Sequence, residues 1–174
     1  GEMRTGPAIG AMGLAYDLNY EGWDEEFRQK VAKAIQDNPG TDKIAKKGPI
    51  MPSCNHYGAA VGGVGVGLLA IRGDAGIDEQ KVEAMLGGIV KQARDEIAIG
   101  YGDRGYYFEG HQCGRISSNT GLVPFVQAYR VAAGKDLVVK KDNARWLAAK
   151  WIYEFAKNPD GKYIDVQRGM YARN

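Results

Sequence analysis

Apolar positions along the chain alternate between two kinds of helical pattern. Residues 7–18, 58–71 and 121–133 are small and apolar on every side. Each is followed by an amphipathic stretch, at residues 24–36, 78–99 and 143–157. In 78–99, Val82, Met85, Leu86, Ile89, Val90 and Ala93 recur at three-and-four spacing, with Lys81, Glu83, Lys91 and Arg94 opposite. Trp146, Leu147, Lys150 and Trp151 continue that pattern in 143–157. A helix apolar all round must be covered on all sides and belongs to an inner layer. The pattern therefore predicts an all-α fold, an arc of αα-hairpins with inner and outer layers, repeating at a spacing of roughly 55 residues.

Capping residues sit at the expected boundaries. Asp24, Asp78 and Asp142 stand where the outer helices want an N-cap. Asn38-Pro39-Gly40 and Asn158-Pro159-Asp160-Gly161 stop the first and third outer helices. Pro7 and Pro124 fall in the first turns of their helices, where a missing N–H costs little. Residues 105–108 and 137–140 read as short extended pieces, and 162–174 as irregular chain.

Two long loops are left, at residues 41–57 and 100–120. In consecutive αα-hairpins, loops running from an outer helix to the next inner helix all emerge at one end. Arg4, the run Cys54-Asn55-His56 and the run from His111 to Arg115 should therefore converge, and long loops on a rigid scaffold are where function usually sits.

Composition narrows the classes. The chain has 174 residues, enough for one domain spanning residues 1–174. Its net charge of +2 predicts no general attraction to nucleic acid or anionic membranes. The apolar run at 58–71 is short of the ~20 residues a bilayer span needs. Glycine is unusually common, at 25 residues, many inside apolar stretches, which implies closely packed helices. Gly1-Glu2-Met3-Arg4 lack the apolar segment of a signal peptide.

Candidate chemistry lies in the two runs that hold every histidine and cysteine, Cys54-Asn55-His56 and His111-Gln112-Cys113. Proton transfer, a metal site and a disulfide are each open to such a pairing. The four side chains are of zinc-binding types, but structural zinc sites separate paired ligands by two to four residues, and each pair here is closer. A Cys54–Cys113 disulfide needs the two loops to touch. Ordinary semi-buried thiols are the simpler reading. No metal and no cofactor is expected. Tyr106-Tyr107-Phe108 suit either sugar stacking or anchoring of a glycine-rich loop. Arg4, Arg104 and Arg115 are of the type that clamps carboxylates, or else solvated surface charges.

The run Ser53-Cys54-Asn55-His56-Tyr57-Gly58, opening a small-residue helix that ends at Arg72-Gly73-Asp74, resembles the α/α-toroid domain of heparinase II/III-like and alginate-lyase-like polysaccharide lyases. So does the run from Gly102 to Gly110, followed by Gly121-Leu122-Val123-Pro124-Phe125. The resemblance implies a partial α/α-toroid, about half of a full ring, that cleaves an acidic, uronate-containing polysaccharide or oligosaccharide by β-elimination. It implies carboxylate neutralisation by Asn55, proton abstraction by His56, and protonation of the leaving oxygen by His111 or Tyr107. Tyr57, Glu109, Arg115 and Arg4 would line the substrate. A histidine titrates near neutrality, which suits base work.

The chain differs from that family's pattern where a tyrosine usually follows Glu-Gly, since His111-Gln112-Cys113 stand there. The usual β-sandwich domain is also missing. The chain then reads as part of a larger protein or as a reduced relative, open to self-association through the uncovered flank of its arc. An extracellular or periplasmic location goes with the resemblance. Two other functions remain open: a non-catalytic helical module that binds glycan or protein, and a toroid glycoside hydrolase using Glu109 with Asp103.

Overall fold

A computed structural model describes residues 2–102, 107–138 and 155–165. The fold is helical: α1 (Glu2–Leu18), α2 (Glu25–Gln36), α3 (Pro39–Lys47), α4 (Asn55–Ile71), α5 (Glu79–Ile99) and α6 (His111–Ser117). α6 runs through a π-helical turn, Ser118–Leu122, into α7 (Val123–Ala133). β1 (Phe155–Lys157) and β2 (Tyr163–Asp165) pair antiparallel. Among the described residues no helix is long and apolar enough to cross a membrane.

Glycine decides how the inner helices meet. A Cβ on Gly6 would collide with the Ala60 backbone, one on Gly10 with Gly63, and one on Gly13 with Gly67. On the other side of α4, Gly58 faces Ser117, Gly62 faces Gly121, and Gly65 faces the Phe125 ring. Residue numbers climb together in both series. Hence α1, α4 and the α6–α7 helix run parallel and start at the same end. α5 runs the other way: Tyr57 Oη donates to Gln92 Oε1 at 3.3 Å near one end of α4, and Arg72 pairs with Glu83 near the other. α4 is accordingly buried along almost its whole length, as its apolar composition requires. α1 also meets α2 and α3, and Leu14 and Leu18 of its last turns and Val131 of α7 stay exposed.

Glycine on the outer face has no such duty. A Cβ on Gly87, on the exposed side of α5, would meet nothing within 4 Å. Gly87→Ala should raise the unfolding free energy by about 0.5–1 kcal/mol, because alanine is the better helix former. Urea titration checks this as an upward shift in midpoint with unchanged slope.

Several boundaries differ from the sequence expectation. Asp24 and Asp78 do cap their helices, accepting from Phe27 N at 2.8 Å and Lys81 N at 3.0 Å. Residues 41–57 are not one long loop, because α3 occupies their first half. α2 closes at Asp37, and Asn38 caps α3 through its side chain, accepting from Gly40 N at 2.8 Å, with Pro39 as the first helical residue. Thr41, Ile44 and Ala45 bury the inner face of α3, while Lys43, Lys46 and Lys47 lie on the outer one. Residues 100–120 likewise turn helical from His111.

α1 begins before Pro7, which therefore sits inside the helix. Pro124 follows the π turn, whose wider winding leaves room where an interior proline would otherwise clash. The C-terminal part of the third outer helix is also corrected. Phe155–Lys157 is a strand, and Asn158 to Lys162 make the turn to β2, with Lys162 N donating to Asn158 Oδ1 at 2.8 Å. Tyr163–Asp165 is therefore not irregular chain. Trp146, Leu147, Lys150, Trp151 and Asp142 lie outside the described residues.

Candidate active site at the start of the inner helices

The parallel inner helices bring the start of α4 against the loop that leads into α6. Cys54 provides no side-chain cap to α4. The orphan N–H groups of its first turn find one local and two tertiary partners instead. Asn55 N donates to Glu109 Oε2 at 2.7 Å, Tyr57 N to Cys54 O at 2.9 Å, and Gly58 N to Ser117 Oγ at 3.1 Å. Glu109 is thus a capping carboxylate borrowed from a loop 54 residues away, favoured also by the positive end of the α4 dipole. Its own loop is tied by Phe108 N to Gly100 O and Gly110 N to Tyr107 O, both 2.9 Å, with Gly110 at φ +88° as only glycine readily allows.

Glu109→Ala leaves the Asn55 N–H without its acceptor and should lower the unfolding free energy by about 1–2 kcal/mol. Glu109→Gln keeps an acceptor and should lose less than half of that. Chemical denaturation of the two variants side by side reads the difference.

Convergence of the two His/Cys runs is therefore real for the residues whose side chains are described. Asn55 is buried, with its amide on the Cys113 side, and Cys54 Sγ lies 3.7 Å from Asn55 Oδ1. His56 is half-buried and is the member of the Asn-His pair that reaches solvent. Arg4 is exposed on the first turn of α1, at the same end. Cys54 and Cys113 are both free thiols. Burial pushes the Cys113 thiol up, and the nearby Glu109 adds to that, so it is a poor nucleophile.

For His111 and Arg115 the backbone places both on α6 at this end, and their side chains lie outside the described residues. Asp103, Arg104 and Tyr106 lie outside them altogether. Among the described residues no group of three His, Cys, Asp or Glu side chains could hold a metal.

Two tyrosines stand away from the substrate role drawn from sequence. Tyr57 is buried, bonded to Gln92, and pushed up to about 12 by burial and by Asp95 and Glu96. Tyr107 is fully buried against Tyr101, ring centroids 5.0 Å apart, and burial raises its phenol far above the ordinary value. Neither hydroxyl meets solvent, so a polymer arriving from outside cannot touch them in this conformation. Phe108 is the exposed aromatic of that run.

The buried residue that the sequence reading passed over is Glu96. It is fully buried on α5, and Ser117 Oγ donates to its Oε1. A Cβ on Gly58 would strike both Glu96 oxygens and the Ser117 hydroxyl, so only glycine lets this carboxyl lie on the first turn of α4. One signal was available: Glu96 continues the apolar stripe Val82, Leu86, Ile89, Ala93 at helical spacing, a position where a charge is out of place.

Compared with family models, curated proteins and solved structures, the chain matches none.

Proposed function

We propose that this chain carries a polysaccharide-lyase-type site of the α/α-toroid class, acting by β-elimination on an acidic, uronate-containing polysaccharide. The observation that supports it best is the meeting of Asn55, His56 and Glu109 at the end where three parallel inner helices begin. The exposed Arg4 at that end offers a substrate carboxylate a positive partner. Carboxylate binding acidifies the adjacent C–H, and His56, half-exposed there, takes the proton. The C–H electron pair becomes a C=C bond, and the glycosidic C–O bond breaks. A donor then protonates the leaving oxygen. With Tyr107 buried, His111 is the donor this reading retains. Asn55 contributes its amide if it turns from Cys113 toward the substrate. Polymers of this kind lie outside the cytoplasm, so an extracellular or periplasmic location belongs to the same reading.

A second reading has its own supporting observation. A groove of about 430 Å³ between α1, α4 and α7 is lined mainly by apolar residues, among them Leu14, Val66, Leu69 and Val131. It suits a non-catalytic module that docks a partner or a further segment there. The experiment separates the readings by product. Elimination gives an unsaturated sugar absorbing in the ultraviolet, hydrolysis gives reducing ends without that absorbance, and a module gives binding with neither.

A further inference from the structure

We propose that Glu96 and Ser117 form a proton-linked joint beneath the candidate site, closed around an uncharged Glu96 carboxyl and loosened when that carboxyl ionises. The joint ties three pieces of the fold together. Glu96 belongs to α5, Ser117 ends α6, and the Ser117 hydroxyl also accepts from Gly58 N on α4 at 3.1 Å. Tyr101 and Tyr107 pair as an isolated backbone bridge just before Glu109, which bonds Asn55 N.

An ionised Glu96 is poorly supported in place. Ser117 gives its only hydroxyl proton to Glu96 Oε1, while Glu96 Oε2, Tyr101 Oη and Tyr107 Oη are buried without partners among the described residues. A protonated carboxyl leaves no anionic oxygen at Oε2 to be satisfied. Every other titratable group that faces the carboxyl is also an acid: Tyr57 from α4, Tyr101 and Tyr107 from the loop, with Glu109 beyond Tyr107. No cation faces it among the described residues. An ionised Glu96 would thus be a buried charge supported by a single hydroxyl.

Burial accordingly raises its ionisation from the ordinary 4.5 to about 8. Across that window the folded chain holds a proton that the unfolded chain has already released, so stability falls as pH rises from 4.5 to about 8 and then levels off. On ionisation the proton leaves to solvent, and α5, the end of α6 and the start of α4 lose their common anchor. This proposal does not depend on the substrate.

Amide hydrogen exchange on the whole chain tests it, after correction for the intrinsic rate at each pH. Peptides covering residues 54–58 and 107–117 should lose protection at least tenfold between pH 6 and pH 9. Glu96→Gln, which cannot ionise, should hold protection level over the same range. Equal pH dependence in wild type and Glu96→Gln, or no loss in wild type, overturns the joint. If Glu96→Gln does not fold, infrared spectroscopy of the wild type decides. A protonated carboxyl band that disappears only near pH 8 supports the proposal, and its absence already at pH 6 overturns it.

Discussion

Gly62→Ala is expected to cost about 3 kcal/mol or more, enough to leave much of the protein unfolded near physiological temperature. The added Cβ would lie well under 3.0 Å from the carbonyl carbon and oxygen of Gly121 and from Leu122 N. These are backbone atoms, so no side chain can swing aside. Relief requires α4 and the π turn to separate, and that separation would open the packing around Gly58 and Phe125 as well. Gly63→Ala makes the same collision with Gly6 on the α1 side. Thermal unfolding by circular dichroism measures both, and Gly87→Ala serves as the opposite-signed control. A Gly62→Ala protein that melts like the wild type would mean that the parallel inner layer is not packed as described.

His56→Ala should lower the rate of β-elimination by 10²–10⁴-fold, the usual worth of a positioned general base. His56 is the one base of the Asn-His pair that is half-exposed at the start of α4, and the buried tyrosines beneath it cannot substitute. Its removal should leave the melting temperature nearly unchanged, because among the described residues its side chain makes no buried hydrogen bond. Asn55→Ala should cost both activity and stability, since that side chain is packed against Cys113. The contrast separates loss of chemistry from loss of fold.

The inner and outer layering was readable because it is local. An apolar helix such as α4 states its own burial, and the stripe from Val82 to Ala93 states which face of α5 is covered. Asp24 and Asp78 mark helix starts by the same local chemistry. α3 was missed although its signals were equally local. The sequence reading gives residues 41–57 as one loop and Asn38-Pro39 only as a stop, when it is also a start. The strands at 155–165 were missed because Phe155 to Lys157 fit the end of a helix as readily.

The candidate site was readable only in outline. Repeat geometry predicted that the Asn55 and His111 runs would meet, and the Asn55–Glu109 hydrogen bond bears that out for the loop. Nothing in the sequence assigns Glu109 as a cap on a helix 54 residues away, or buries Tyr107 beneath the site it was expected to serve. Those facts come from tertiary packing. Glu96 lay between the two cases, a charge inside an apolar stripe that signals burial without naming Ser117 as its partner.

The central claim is that the start of the inner helices is an elimination site centred on His56. The most direct measurement is the ultraviolet absorbance of the reaction mixture when the folded chain meets a panel of uronate polymers, with His56→Ala run in parallel. A steady rise for at least one polymer, reduced at least a hundredfold in His56→Ala at equal folded concentration, is the result predicted. A folded protein that binds a uronate polymer without any rise in absorbance, or a rise that His56→Ala leaves intact, would contradict it.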